Sequence, residues 1–300
     1  MSKIRSIAIL LHEHAHGALD TGYRIWALAE NWKRWGIRVD VLKGVPPSGE
    51  IDADVLVPHV DLSYIPDHLW QAIQSHPRAV NARLRDIRKH TVSTNLVHRG
   101  DGYAGPVIVK TTRNCGGWAD AAYTDIAGPS LARRVVRKLQ TLPRLEPYMQ
   151  SWARELEHYP IYDSPQLVPR GVWRNQNLVV ERYTPERRGD EYVMRMWVVL
   201  GERSLGRALA SPDPYVKDRQ ATLEQMPDAP PEVRTWPSSL GLDYGKLDFL
   251  MHTEAHGVRR PVLIDVNTTP TVSGNPRSKK YVTQNEDLAR GIAAWGEIDA

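Results

Sequence analysis

The sequence predicts an open, mostly parallel α/β lobe at the N-terminus, followed by further lobes in which antiparallel hairpins recur. Three observations carry this reading. Short apolar runs alternate with amphipathic helical segments over the first 85 residues, and strand–helix–strand alternation is how a parallel sheet with crossover helices is written. A polar, basic connector, Asp86 to Asp101 (DIRKHTVSTNLVHRGD), then separates that lobe from the C-terminal two thirds of the chain. Beyond it, apolar runs come in pairs joined by tight polar turns, which read as hairpins. Three hundred residues also exceed one typical compact domain, so two or three lobes are expected.

Within the first lobe, Ile4 to Leu11 (IRSIAILL) reads as a buried strand, short and bounded by polar residues. Tyr23 to Trp35 reads as an amphipathic helix: Ile25, Leu28 and Trp32 share a face, Asp20 is a plausible cap and Gly36 ends it. Arg38 to Leu42 and Asp54 to Pro58 are the next strands, Pro66 to Ser75 a helix, and Ala79 to Asn81 a short strand. After the connector, Gly105 to Lys110 reads as a strand, and Ser130 to Leu142 and Glu146 to His158 read as helices. Asn177 to Tyr183 is a strand, and Tyr192 to Leu200 and Arg203 to Ser211 are a pair turning at Gly201-Glu202. Met226 to Pro237, with its several prolines, reads as a loop, and Asn285 to Trp295 as a closing helix with Leu288 and Ile292 inward.

Composition narrows the function classes. A 41% apolar content with scattered charge fits a soluble globular protein rather than a disordered chain. The formal charge is +4 and the pI near 9.1, which suits anionic substrates, but without long Lys/Arg runs nucleic acid is not favoured. Cys115 is the lone cysteine, so neither an intrachain disulfide nor a multi-cysteine metal site is expected. No eighteen-residue apolar run appears and Ile7 to Leu11 is too short for a signal peptide, so the expectation is a cytoplasmic protein without a membrane partner.

The chemistry concentrates in four stretches. Lys246 to Leu250 (KLDFL) and Pro261 to Pro270 (PVLIDVNTTP) each carry an acidic residue inside an apolar run: Asp248 between Leu247 and Phe249, Asp265 between Ile264 and Val266. Asn267 shares a strand face with Asp265, so three oxygen donors converge if the strands pair, which suits a hard cation; alternatively one Asp is an exposed strand residue and Asn267 starts a turn. Lys110 closes an apolar strand and is followed by Asn114-Cys115-Gly116-Gly117, an arrangement suited to phosphate oxygens, or simply a hairpin with a Gly-Gly turn. Arg195 and Arg207 lie in apolar strands and need an anionic partner, either protein or ligand. His12, His14 and His16 alternate after the first strand, where α/β sheets bind ligands; lining a substrate pocket, holding a metal and plain surface exposure all remain open.

Taken in order, strand–Lys–Gly turn, Val179-Val180-Glu181-Arg182-Tyr183, Arg-bearing hairpin, Leu247-Asp248-Phe249-Leu250 and Leu263-Ile264-Asp265-Val266-Asn267 resemble the ATP-grasp superfamily, and within it carboxylate–amine ligases of the RimK and glutathione synthetase type. The resemblance covers roughly Gly105 to Gly274 and implies an ATP-grasp fold of α/β and α+β lobes. Residues 1–85 would be a pre-ATP-grasp lobe, 86–178 a lid and 179–300 a core. It implies ATP and Mg²⁺ as cofactors. Lys110 would reach the phosphates, Asn114, Gly116 and Gly117 would close over them, and Glu181, Arg182 and Tyr183 would hold adenine and ribose. Asp248, Asp265 and Asn267 would hold the metal, with Arg195 and Arg207 near the transferred phosphate. His12, His14, His16 and Arg277 are the candidate substrate-binding residues. Two departures stand out: Asp265 where the family more often has Glu, and a short phosphate loop with two adjacent glycines.

The implied chemistry activates a carboxylate as an acylphosphate and joins it to an amine, which could belong to an amino acid or a peptide. Positioning and charge neutralisation dominate such phosphoryl transfer. A kinase acting on a hydroxyl acceptor, a nucleotide-binding module without turnover and a sugar-nucleotide-binding first lobe are the rival readings. Nothing in the sequence fixes the oligomeric state, a homodimer included.

Overall fold

The computed structural model describes residues 2–15, 22–124, 135, 156, 159–214, 216, 222–226, 228–254 and 256–299. The helices expected at Ser130 to Leu142 and Glu146 to His158, the expected cap Asp20, and His16 lie outside the described residues, save Val135 and Leu156.

The first sheet is parallel. Strands β1 (Ser6–Leu11), β2 (Arg38–Lys43) and β3 (Val55–Pro58) lie in the order β2-β1-β3. Five of the six β1 side chains are buried, as expected of a central strand covered on both faces. Helix α1 (Ile25–Arg34) buries Ile25, Leu28 and Trp32 as its periodicity predicts. Ala79 makes only an isolated bridge to Leu56 rather than a strand, because Asn81 turns the chain with φ +56°. Asn81 is one of the few residue types that enters the left-handed region readily. Its side chain accepts from the Asp243 and Tyr244 N–H groups at 2.7 and 2.9 Å, fastening this lobe to the start of a later strand.

The other two sheets are antiparallel. In the smaller, β4 (Val107–Thr111), β5 (Ile161–Tyr162) and β6 (Leu178–Arg182) lie in the order β5-β4-β6. Val107, Val109, Leu178 and Val180 face its core, which leaves Ile108, Lys110 and Glu181 on the opposite face. The larger sheet has the order β10-β9-β8-β11-β12, with β7 pairing the start of β8. Its strands are β7 (Glu186–Arg188), β8 (Glu191–Leu200), β9 (Arg203–Ser211), β10 (Thr222–Met226), β11 (Tyr244–Thr253) and β12 (Arg259–Asn267).

Two expectations are corrected. The proline-rich stretch forms a helix, Pro231–Leu240, entered through Pro230 and Pro231 and closed by Gly241 at φ +73°. Proline is tolerated at the first helical position because that N–H lacks an intrahelical partner, and glycine takes the left-handed cap without strain. The closing helix is broken into Lys279–Gln284, Glu286–Ala289 and a 3₁₀ turn Arg290–Trp295. Gly291 there lies so close to the Leu200 carbonyl that any Cβ would clash. Leu288 and Ile292 do point inward, joining Trp32 of α1 and Val198, Leu200 and Tyr244 of the large sheet in one core. The first lobe thus covers one end of a sheet face whose other end is left for chemistry.

Candidate active site

The register of β11 against β12 places Lys246 opposite Asn267, Leu247 opposite Val266 and Asp248 opposite Asp265, with a bulge directly after Asp248. Because side chains alternate, Lys246, Asp248, Asp265 and Asn267 share one face while Leu247, Phe249 and Val266 are buried on the other. Asp248 also lies opposite Met196 of β8, which lies opposite Arg207 of β9, so that arginine belongs to the same row.

This face and the Ile108–Lys110 face of the small sheet wall a cavity of about 600 Å³, with Tyr183, Thr184 and Pro185 as its connecting edge. Ile108, Met194, Leu250 and Ile264 make part of the lining apolar, while Lys89, Lys110, Asp248 and Asp265 make another part charged. Three lysine–carboxylate pairs meet here. Lys110 Nζ lies 2.7 Å from Glu181 Oε2, Lys246 Nζ 2.7 Å from Asp248 Oδ2 and Lys89 Nζ 3.1 Å from Asp265 Oδ1. Lys89, which the sequence reading missed, is only 3% exposed and also donates to Asn114 Oδ1 at 3.3 Å and the Arg113 carbonyl at 3.4 Å.

The electrostatics are uneven. Burial pushes the Asp248 carboxyl above its ordinary value; Asp265 adds to this and Lys246 opposes it. Burial acts to lower Lys89, but Asp265, Tyr159 and Glu181 together outweigh it, and its ammonium is held above the ordinary lysine range. Two buried carboxylate oxygens, Asp248 Oδ1 and Glu181 Oε1, have no hydrogen-bond partner among the described residues. A buried oxygen of this kind is costly, and it calls for a donor or a cation. No group of three His, Cys, Asp or Glu side chains able to hold a metal occurs among the described residues. Asp248 and Asp265 therefore suit a cation that draws its remaining ligands from water and phosphate, the habit of magnesium.

The other expected residues divide. Gly116 lines the cavity, and Gly116 and Gly117 take φ of +66° and +84°, conformations that favour glycine. Asn114 holds the loop in place: its Nδ2 donates to the Val266 carbonyl at 2.7 Å and its N–H to Ser63 Oγ at 2.9 Å. Arg182 and Tyr183 line the cavity, yet their N–H groups already donate to the Asn95 and Pro106 carbonyls at 3.0 and 2.8 Å. Thr184 beside them keeps a buried hydroxyl without a partner among the described residues. Asn267 is on the carboxylate face, but its Oδ1 accepts from the Thr269 N–H at 2.7 Å, the Asx turn that Asn at a strand end readily forms.

Arg195 does not reach this site. It pairs across the strands with Phe249, projects from the opposite face and grips Glu186 at 2.7 and 2.9 Å. The expected placement near a phosphate is corrected to a structural ion pair, because a side chain one residue out of phase lands on the other face. His12, His14 and Arg277 do not line the cavity either. His12 is buried against Tyr123 and accepts from the His14 N–H at 3.1 Å, with burial lowering its pKa. Arg277 stacks over Trp26 at 5.0 Å. Closer to β12, Thr269 Oγ1 donates to Asp61 Oδ1 at 2.7 Å, and Tyr23 donates to Asp61 Oδ2 at 2.5 Å.

No family model matches the chain, and no curated protein matches it. Solved structures do. VanG D-Ala:D-Ser ligase from Enterococcus faecalis is similar with a TM-score of 0.49 and 13% identity, over 97% of this chain and 99% of that one. The macrocyclase MdnC bound with precursor peptide MdnA, from Microcystis aeruginosa MRC, gives 0.48 and 11%, over 96% and 99%. The ATP-grasp ligase PsnB complexed with minimal precursor gives 0.49 and 9%, over 96% and 98%.

Proposed function

We propose that this chain binds magnesium–ATP in the 600 Å³ cavity and uses it to join a carboxylate to an amine, releasing ADP and phosphate. The observation that supports it most is a cavity onto which Lys89, Lys110, Asp248 and Asp265 all open, each held by an opposite charge, beside an apolar section made by Ile108, Met194, Leu250 and Ile264. The Lys89–Asp265 pair can exchange partners without leaving a bare charge. Lys89 and Lys110 turn to phosphate oxygens, and the released Asp265, with Asp248, would hold the metal. Magnesium when bound supplies charge neutralisation for the phosphates. Ile108, Met194, Leu250 and Ile264 would enclose the base, with Thr184 as the uncommitted polar group at its edge. Lys246, close behind Asp248, keeps that carboxylate oriented.

The ligase chemistry rests on the sequence resemblance to carboxylate–amine ligases. The first lobe, with the Tyr23–Asp61–Thr269 chain abutting β12, is the side from which an acid and an amine would approach. His12, His14 and Arg277 would stand farther out on that side, and Arg207, in the row of Asp248 though not in the cavity lining, would be the arginine to meet developing phosphate charge. A carboxylate labelled with ¹⁸O tests the reaction class: an acylphosphate route transfers one labelled oxygen to the released phosphate, and only when acid and amine are both supplied does turnover continue. ADP formation with an alcohol alone, and no label in phosphate, contradicts the ligase reading.

A further inference from the structure

The large sheet has a second cavity, of about 760 Å³, on its other face. Arg195 reaches it because it lies opposite Ala208 and Phe249, out of phase with Asp248. Four guanidinium groups line this space, from Arg187, Arg188, Arg195 and Arg259, against two carboxylates, from Glu186 and Glu224. Glu186 is buried and saturated. Its Oε1 accepts from Arg195 and Arg259 at 2.7 and 2.6 Å, and its Oε2 from Arg195 and the Met251 N–H at 2.9 and 2.8 Å. Glu224 forks onto Arg188 at 2.9 and 3.0 Å, and Glu191, outside the lining, touches the same guanidinium at 3.4 Å. The cations still outnumber the anions.

Among the described residues several donors therefore remain uncommitted. Arg195 Nη1 meets the thioether of Met226 at 3.6 Å, a weak acceptor. Arg187 donates to the Tyr192 hydroxyl at 3.0 Å and stacks over that ring, with no carboxylate on it among the described residues. Arg259 has one nitrogen on Glu186 and is half exposed. A guanidinium offers five donors in a planar fork suited to carboxylate and phosphate oxygens, so three such groups around one space select an oxyanion.

We infer that this cavity is a binding site for a small dianion, a dicarboxylate or a phosphate ester, held by Arg187, Arg195 and Arg259. The volume is that of a metabolite site. Titrating succinate and inorganic phosphate separately into the protein tests it, with Arg187→Ala, Arg259→Ala and Lys110→Ala compared with wild type and circular dichroism confirming each fold. Saturable binding of at least one probe is expected, weakened about tenfold or more by either arginine change, the size of one charge-assisted hydrogen bond, and unaffected by Lys110→Ala. Preference for succinate marks a dicarboxylate and preference for phosphate a phosphate ester. Absence of saturable binding overturns the inference. So does binding that survives both arginine changes, or that is lost with Lys110→Ala, since the anion would then occupy the lysine-lined cavity.

Discussion

The two faces of the large sheet carry buried carboxylates in opposite states. On one face Asp248 keeps an oxygen without a partner among the described residues, and Glu181 beside Lys110 does the same. On the other face both oxygens of Glu186 are saturated by two arginines and a backbone N–H. The first face is short of cations and the second is short of anions. The count of charges already differs, with four guanidinium groups against two carboxylates on the second face and one-to-one lysine–carboxylate pairs on the first. The difference lies in which atoms are left over, and those atoms define what each cavity accepts.

The largest expected effect concerns turnover. Lys110→Ala and Asp265→Ala should each lower kcat by about 100-fold or more, the scale of removing a preorganised electrostatic group, while leaving circular dichroism unchanged. Activity within a few-fold of wild type in either variant removes the site assignment.

Stability should then respond with opposite sign on the two faces. Burial tends to raise the Glu186 carboxyl, but Arg195, the Met251 N–H and Arg259 outweigh it and hold its pKa below the ordinary value. Such a group contributes stability that is complete above its unfolded pKa and is lost as pH falls through the folded one. Glu186→Gln should cost roughly 2–3 kcal/mol at neutral pH, less than a fully buried pair because Arg259 remains half in water. Urea unfolding across the acid range checks it: the variant's stability should fall less steeply with acid. An unchanged midpoint at pH 7 would show the pair to be incidental.

Asp248 gives the smallest effect and the reverse sign. Its pKa is raised in the folded state, so folding favours the protonated form and the ionised group weighs against stability at neutral pH. Asp248→Asn should therefore raise Tm by a small amount, about 2–4 °C for each kcal/mol gained, while turnover is lost. A lower Tm would mean that Lys246 compensates the charge fully.

Much of this was legible in the residues. An acid inside each of two apolar runs marked Asp248 and Asp265, and a lysine closing a valine-rich strand marked Lys110. Lys89 was not legible: it sits in a basic connector with Arg88, His90 and Arg99, and only the fold shows which of those cations is buried. Arg195 was recognised as needing an anion, but the face it occupies depends on the pairing of β8 with β11, which local pattern does not give. Asn267 carried a readable signal, because Asn-Thr-Thr-Pro after a strand invites an Asx turn. The Pro231–Leu240 helix carried one too, in Pro230-Pro231 before it and Gly241 after it, outweighed by its proline content.

Calorimetric titration of a non-hydrolysable ATP analogue, with and without magnesium, tests the nucleotide cavity most directly. Wild type should bind the analogue at least about tenfold more tightly with magnesium, and Asp265→Ala should lose that dependence. Binding that ignores magnesium, or a magnesium effect that persists in Asp265→Ala, would contradict the account.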